Sequence, residues 1–255
     1  TLVALTFILI IGTVVLQSAT ARPLARRLGV AEADPRGVLI VGSSSVARTL
    51  AKALKQHGYE PILADEDWLG IGAARMAGFR TFFGNPVSEH ADRHLDLIGV
   101  GWLLAMSTRP ELSTLACVRY RPEFGAQRVL RLRIFPPGEA PRQAHTATLL
   151  APGLFGAAIT HAELQQRLDR GWVIKSTRLS ENFPYSKLVA AYDSAPQLLF
   201  AVDERGRLQF EREDLALQPR AGWVVSALVD PATRRADAPV EPAPAPAQGG
   251  AAHPT

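Results

Sequence analysis

Three short stretches of this 255-residue chain carry residue types that suit a phosphorylated ligand. The first is Gly42-Ser43-Ser44-Ser45-Val46-Ala47, directly after the apolar run Gly37 to Val41 and directly before a helical pattern. A glycine turn that opens a helix points backbone N–H groups outward, and the helix N-terminus favours an anion there. The second is Asp65, with Glu66 beside it, at the end of another apolar run about 20 residues on; an acid so placed can accept from ribose hydroxyls. The third is Ser107-Thr108-Arg109-Pro110-Glu111, after the apolar run Val100 to Met106. Asn85 follows Gly84 at the end of a shorter run. Together these residues suit recognition of a nucleotide. The three glycine positions of a dinucleotide fingerprint read Gly42, Ser44 and Ala47 here. Alanine serves in the third place, whereas serine in the second adds a side chain where backbone should approach the phosphates, or else donates its hydroxyl. Arg109 either favours a phosphate or is a solvated loop residue.

Reactive chemistry finds less support. His90 and His94 have the i, i+4 spacing of a helical metal pair, but Glu89 precedes them and no third ligand is evident, so a solvated helix face is expected and no metal site. Tyr185-Ser186-Lys187 lacks the Tyr-x-x-x-Lys spacing of short-chain dehydrogenases, and Gly42 to Val46 lacks the second glycine of a nucleophile elbow. The expectation is a binding protein that performs no reaction; the alternatives are an NAD(P)-dependent oxidoreductase and a dimerising Rossmann adaptor without ligand. The single cysteine, Cys117, lies in an apolar helical run and reads as a small core residue. The net charge of +4 is mild and its basic residues are spread along the chain, which argues against a nucleic-acid partner.

The elements that must position these residues alternate. Strand-like runs at Gly37 to Val41, Pro61 to Ala64, Arg80 to Phe83, Val100 to Met106 and Arg128 to Leu132 are separated by helical patterns at Val46 to His57, Trp68 to Ala77, Ser88 to Leu97 and Glu111 to Tyr120. Continuous apolar strands in such alternation imply an α/β fold: a Rossmann-like parallel sheet with helices on both faces, over residues 37–133. After the proline-rich stretch Phe135 to Pro141, a helix (His161 to Arg170, capped by Thr160), a strand (Val173 to Leu179), a hairpin about Gly206 and a last strand (Trp223 to Val229) predict a small α+β module, residues 134–230. Residues 231–255 are Pro/Ala-rich and expected to be disordered.

Leu2 to Leu16 reads LVALTFILIIGTVVL, without charge or proline. A transmembrane helix over residues 1–21 is expected, ahead of a linker at 22–36; a signal peptide and a buried core helix are the alternatives. Pro23 is expected to end the helix near Thr20 to Arg22. Arg22, Arg26 and Arg27 place the residues after the helix in the cytoplasm. The apolar run is already under way at Thr1, so an upstream continuation of the chain is expected.

The run Gly12 to Val30 (GTVVLQSATARPLARRLGV) resembles the last transmembrane segment of NhaP-type sodium/proton antiporters. Gly37 to Leu132 resembles the TrkA-N domain, the N-terminal half of the RCK domain of potassium transport proteins. Its glycine turn falls on Gly42 to Ala47, its acid on Asp65, and its "AGF…GD" run on Ala77-Gly78-Phe79 and Gly84-Asn85, with Asn in place of Asp. The resemblance implies a bacterial inner-membrane exchanger of a monovalent cation for protons. It also implies an upstream transmembrane domain in the same chain, a homodimer, and bound NAD(H) or another adenine nucleotide. The residues it implies for that ligand are Gly42, Ser43, Ser44, Ser45, Val46, Ala47, Asp65, Glu66, Asn85, Ser107 and Thr108.

Overall fold

The computed structural model describes residues 2–27, 35–136 and 151–235. The remainder of the linker, part of the proline-rich boundary and the tail beyond Arg235 lie outside the described residues. Two compact units divide the chain, Thr1–Pro35 and Arg36–Thr255.

The first unit is one helix, α1 (Leu2–Arg27). It runs past Pro23, where the sequence placed its end. Proline removes the donor to the carbonyl four residues back. That carbonyl belongs to Ala19, which is exposed, so solvent can replace the lost bond without breaking the helix. Phe7, Leu9, Ile10, Ile11, Val14, Val15 and Leu16 are all more than half exposed. Among the described residues no helix is long and apolar enough to cross a membrane.

The second unit begins with β1 (Gly37–Val41), α2 (Ser45–Gln56), β2 (Glu60–Asp65), α3 (Trp68–Met76), β3 (Arg80–Phe83), α4 (Glu89–His94), β4 (Val100–Ala105), α5 (Pro110–Phe124) and β5 (Val129–Arg131). The five strands form one sheet in the order β3-β2-β1-β4-β5, every pairing parallel. Strand alternation explains why both faces are covered. Val38 and Ile40 of β1 join Leu50 and Leu54 of α2 and Ile71 and Ala74 of α3. Leu39 and Val41 point the other way, into a cluster with Ala91 of α4 and Leu112, Ala116 and Tyr120 of α5. Cys117 sits in that second cluster, and burial pushes its thiol up to about 12, so it is inert at neutral pH. The helix α5 continues beyond its expected end at Tyr120 through Pro122. The carbonyl that loses its partner there is that of half-exposed Val118, which water can reach.

The chain then forms α6 (His161–Asp169), β6 (Val173–Arg178), α7 (Tyr185–Ala190), β7 (Gln197–Val202), β8 (Leu208–Phe210) and β9 (Val224–Val229). The strands make an antiparallel sheet in the order β6-β9-β7-β8. This sheet is continuous with the Rossmann-like core. Leu199, Phe200, Phe210 and Leu228 share a cluster with Val46, Leu50 and Leu54 of α2. The Trp102 and Phe210 rings meet edge to face at 5.2 Å, and the Tyr59 hydroxyl donates to the Gly206 carbonyl at 2.7 Å. Order extends into the expected tail: Pro231–Thr233 is a 3-10 turn, and Arg235 donates from its backbone to Ala191.

Candidate functional site

At the end of β1, at the sheet's switch point, the chain leaves the strand for α2 close against Met106 and Ser107. Gly42 permits this, with φ of +130°, a conformation open to glycine. A Cβ at Gly42 would lie 2.8 Å from the carbonyl carbon of Met106. Here the ends of β1, β2 and β4 frame a cleft of about 460 Å³. Its walls are Gly42 to Ser44, Asp65 to Asp67 and Met106 to Arg109. In open α/β sheets ligands bind at this place, outside the carboxyl ends of strands whose connections diverge.

Asp65 is nearly buried, 8 % exposed, and its carboxylate is engaged on both oxygens. Oδ2 accepts from the Ser43 backbone N–H and from the Ser43 hydroxyl, both at 2.8 Å. Oδ1 accepts from the Glu66 backbone N–H at 2.8 Å and stands 3.5 Å from the Arg109 guanidinium. The sequence assigned Asp65 to a ligand's ribose; its geometry makes it first a staple between the β1 and β2 loops. Glu66 pairs with Arg109, and that hydrogen bond holds the guanidinium above its ordinary value. The pair spans the cleft from the β2 end to the β4 loop, about half exposed to solvent on its arginine side. A polar ligand can reach both partners.

The other expected site residues separate into groups. Gly42, Ser43, Ser44, Asp65, Glu66, Ser107 and Thr108 line the cleft. The Ser107 hydroxyl also accepts from the Arg109 backbone N–H at 3.2 Å, which shapes the loop. Val46 and Ala47 face the core, 5 % and 0 % exposed, and contribute at most backbone to a ligand. Ser45 turns away from the cleft, its hydroxyl donating to Gln165 of α6. Asn85 lies outside the lining and orders the β3–α4 turn, accepting from the Val87 backbone N–H at 3.0 Å. His90 and His94 stack on the exposed face of α4 with ring centroids 4.1 Å apart.

Sequence reading missed two residues that bond the glycine turn. His161 Nε2 is 2.9 Å from the Ser44 hydroxyl, and Gln165 holds Ser45. Both belong to α6, more than a hundred positions downstream, so no local pattern links them to the glycine turn. Their i, i+4 spacing on one helix face is the sole hint in the sequence. Burial lowers the His161 imidazole below its ordinary value, leaving it neutral at neutral pH.

No family model matches the chain, and no curated protein does. Solved structures similar to it include the NAD(P)-binding domain of an exopolyphosphatase-related protein from Archaeoglobus fulgidus, at 18% identity over 52% of this chain and 94% of that one, TM-score 0.38. The TrkA-N domain of the inner membrane protein ybaL from Escherichia coli aligns at 13% identity over 53% and 95%, TM-score 0.40. The Kef C-terminal domain of Shewanella denitrificans, in its AMP-bound form, aligns at 13% identity over 44% and 64%, TM-score 0.35. Independently of those likenesses, the parallel order β3-β2-β1-β4-β5, with helices on both faces and a cleft at the β1/β4 switch, makes this an α/β chain with a Rossmann-like sheet.

Proposed function

We propose that this chain is the nucleotide-sensing regulatory region of a membrane transporter. The observation that carries the reading is the cleft at the switch point, whose hydroxyls, carboxylates and single guanidinium suit the ribose and base edges of an adenine nucleotide or NAD(H). Those groups are tied to one another in a fixed arrangement, which serves recognition better than proton transfer, so the cleft binds and does not catalyse. Isothermal titration of the full chain with adenosine, AMP, ADP, ATP, NAD+ and NADH is expected to give saturable binding with at least one of them. Flat thermograms with all six would remove the reading.

The regulated partner in this proposal is a monovalent cation/proton antiporter domain upstream in the same chain, in the bacterial inner membrane, with the nucleotide unit on the cytoplasmic side. Ligand binding biases the transporter only if it favours one arrangement of the domains over another. The apolar side chains of α1 support an attachment in lipid: the successive residues Leu9, Ile10 and Ile11 lie on different sides of the helix and all are exposed. Flotation with phospholipid vesicles is expected to carry the full chain to the top of a gradient. The Ile10→Asp, Val14→Asp variant is expected to stay at the bottom. Equal behaviour of the two chains would detach α1 from the membrane.

A further inference from the structure

We propose that α6 closes the phosphate end of the cleft, so that the site takes a nucleoside or a nucleoside monophosphate and rejects ligands that carry a pyrophosphate. This rests on the nucleotide reading of the cleft and narrows it.

A pyrophosphate bound to a Rossmann-like sheet sits against the first turn of the helix after β1, where backbone N–H groups converge. In this chain the Ser44 side of that turn is already engaged. Ser44, the helix cap, accepts from the Ala47 backbone N–H at 3.3 Å and meets His161 Nε2 at 2.9 Å with the same hydroxyl. One residue on, and on the side turned away from the cleft, Ser45 donates to the Gln165 side-chain Oε1, and the Gln165 side-chain nitrogen donates in turn to Asp169 at 2.8 Å, which fixes α6 against the turn. The two α6 side chains are four residues apart, on one helix face, and bond two successive residues of the turn. They do not hang loosely. The His161 backbone N–H donates to Arg133 at 2.7 Å, and Thr160 caps α6 through the Glu163 N–H at 3.2 Å. Leu164, between them, is buried at 2 % exposure in the core shared with α2. A diphosphate reaching this turn must break the Ser44–His161 bond and push back a helix that the Ser45–Gln165 bond and Leu164 hold in place.

The remainder of the cleft stays open. Glu66, Ser107, Thr108 and Arg109 line it at the ends of β2 and β4, and none of them bonds α6. A neutral imidazole facing Ser44 adds hydrogen bonding without a charge to draw in a diphosphate. Specificity then follows from the cost of displacing satisfied groups.

The test compares AMP and NAD+ by calorimetry on the full wild-type chain, on His161→Ala/Gln165→Ala, and on the milder Gln165→Ala. Thermal melts verify that each variant folds. The wild type is expected to bind AMP at least about tenfold more tightly than NAD+. In the double variant that ratio is expected to shrink by about tenfold, through tighter NAD+ binding, with AMP little changed. Gln165→Ala is expected to fall between them. A wild type that binds NAD+ as tightly as AMP overturns the proposal, as does a folded variant pair that leaves the ratio where it was. Silence with both ligands in all three chains overturns it too, and differs from those results because it sinks the nucleotide reading itself.

Discussion

Gly42→Ala is expected to lower the stability of the second unit by about 4 kcal/mol, combining a forbidden backbone angle with an overpacked contact. The φ of +130° lies outside what an L side chain adopts readily. The added methyl would approach the Met106 carbonyl carbon to 2.8 Å and the Ser107 nitrogen to 2.9 Å. Neither side can yield cheaply. Gly42 is pinned to β2 through its N–H to Ala64 at 2.9 Å, and Met106 is pinned to β1 through its N–H to Val41 at 2.8 Å. A domain typically holds only about 5–15 kcal/mol in total, so such a loss approaches the threshold for folding. Urea unfolding should show a lower midpoint at unchanged slope. Gly72→Ala is the matched control: it sits in α3, and a Cβ there meets nothing within 4 Å. Removing glycine from a helix interior with room to spare stabilises by up to about 1 kcal/mol. The two substitutions therefore have opposite signs, and a neutral Gly42→Ala would mean that the turn is looser than its hydrogen bonds require.

The same glycine was legible in the sequence, and the contrast with what was not legible is physical. Each strand of the parallel sheet is a continuous apolar run because both its faces are buried, and each helix stop such as Gly78, at φ of +75°, needs only its own neighbours to be recognised. Ser88 and Thr160 cap their helices through the Ala91 and Glu163 N–H groups, a bond spanning three residues. Long-range pairings left no such mark. That β9 lies between β6 and β7 depends on side chains meeting across the sheet, while the turn at Gly206 announces only its own hairpin. The short α7 starts after Pro184 without a side-chain cap, so nothing announced it. The second sheet read as a separate module because the proline-rich stretch Phe135 to Pro141 marks a boundary in composition; in the fold, the apolar face of α2 serves a core reaching both sheets. At the site, strand-end residues were found because position along a strand predicts place. The bond between Ser43 and Asp65, and the α6 side chains that hold the turn, could not be, since a hydroxyl carries no periodic signal of what it will bond.

That missed partnership governs the second large effect. Asp65→Ala is expected to cost about 3 kcal/mol, because it strands a backbone N–H and a hydroxyl of Ser43, both in a nearly dry environment, and frees the Glu66 N–H. The consequence extends beyond stability. Ser43 begins the turn that bears the cleft's floor, and Gly70 of α3 packs so closely beneath that a Cβ there would come within 2.9 Å of the Ser43 Cβ. A loosened Ser43 therefore displaces the turn, and ligand affinity falls with it whether or not Asp65 touches the ligand. Two further chains separate those roles. A double-mutant cycle with Ser43→Ala should return a coupling of about 1–2 kcal/mol in unfolding experiments, the staple measured directly. Glu66→Gln keeps the staple and alters only the outward carboxylate, so it should weaken a ribose-containing ligand while leaving the unfolding midpoint in place. If the cycle shows independent sites and Glu66→Gln changes nothing, the acid at the end of β2 is the ribose contact after all, and the bonds to Ser43 are what it gives up on binding.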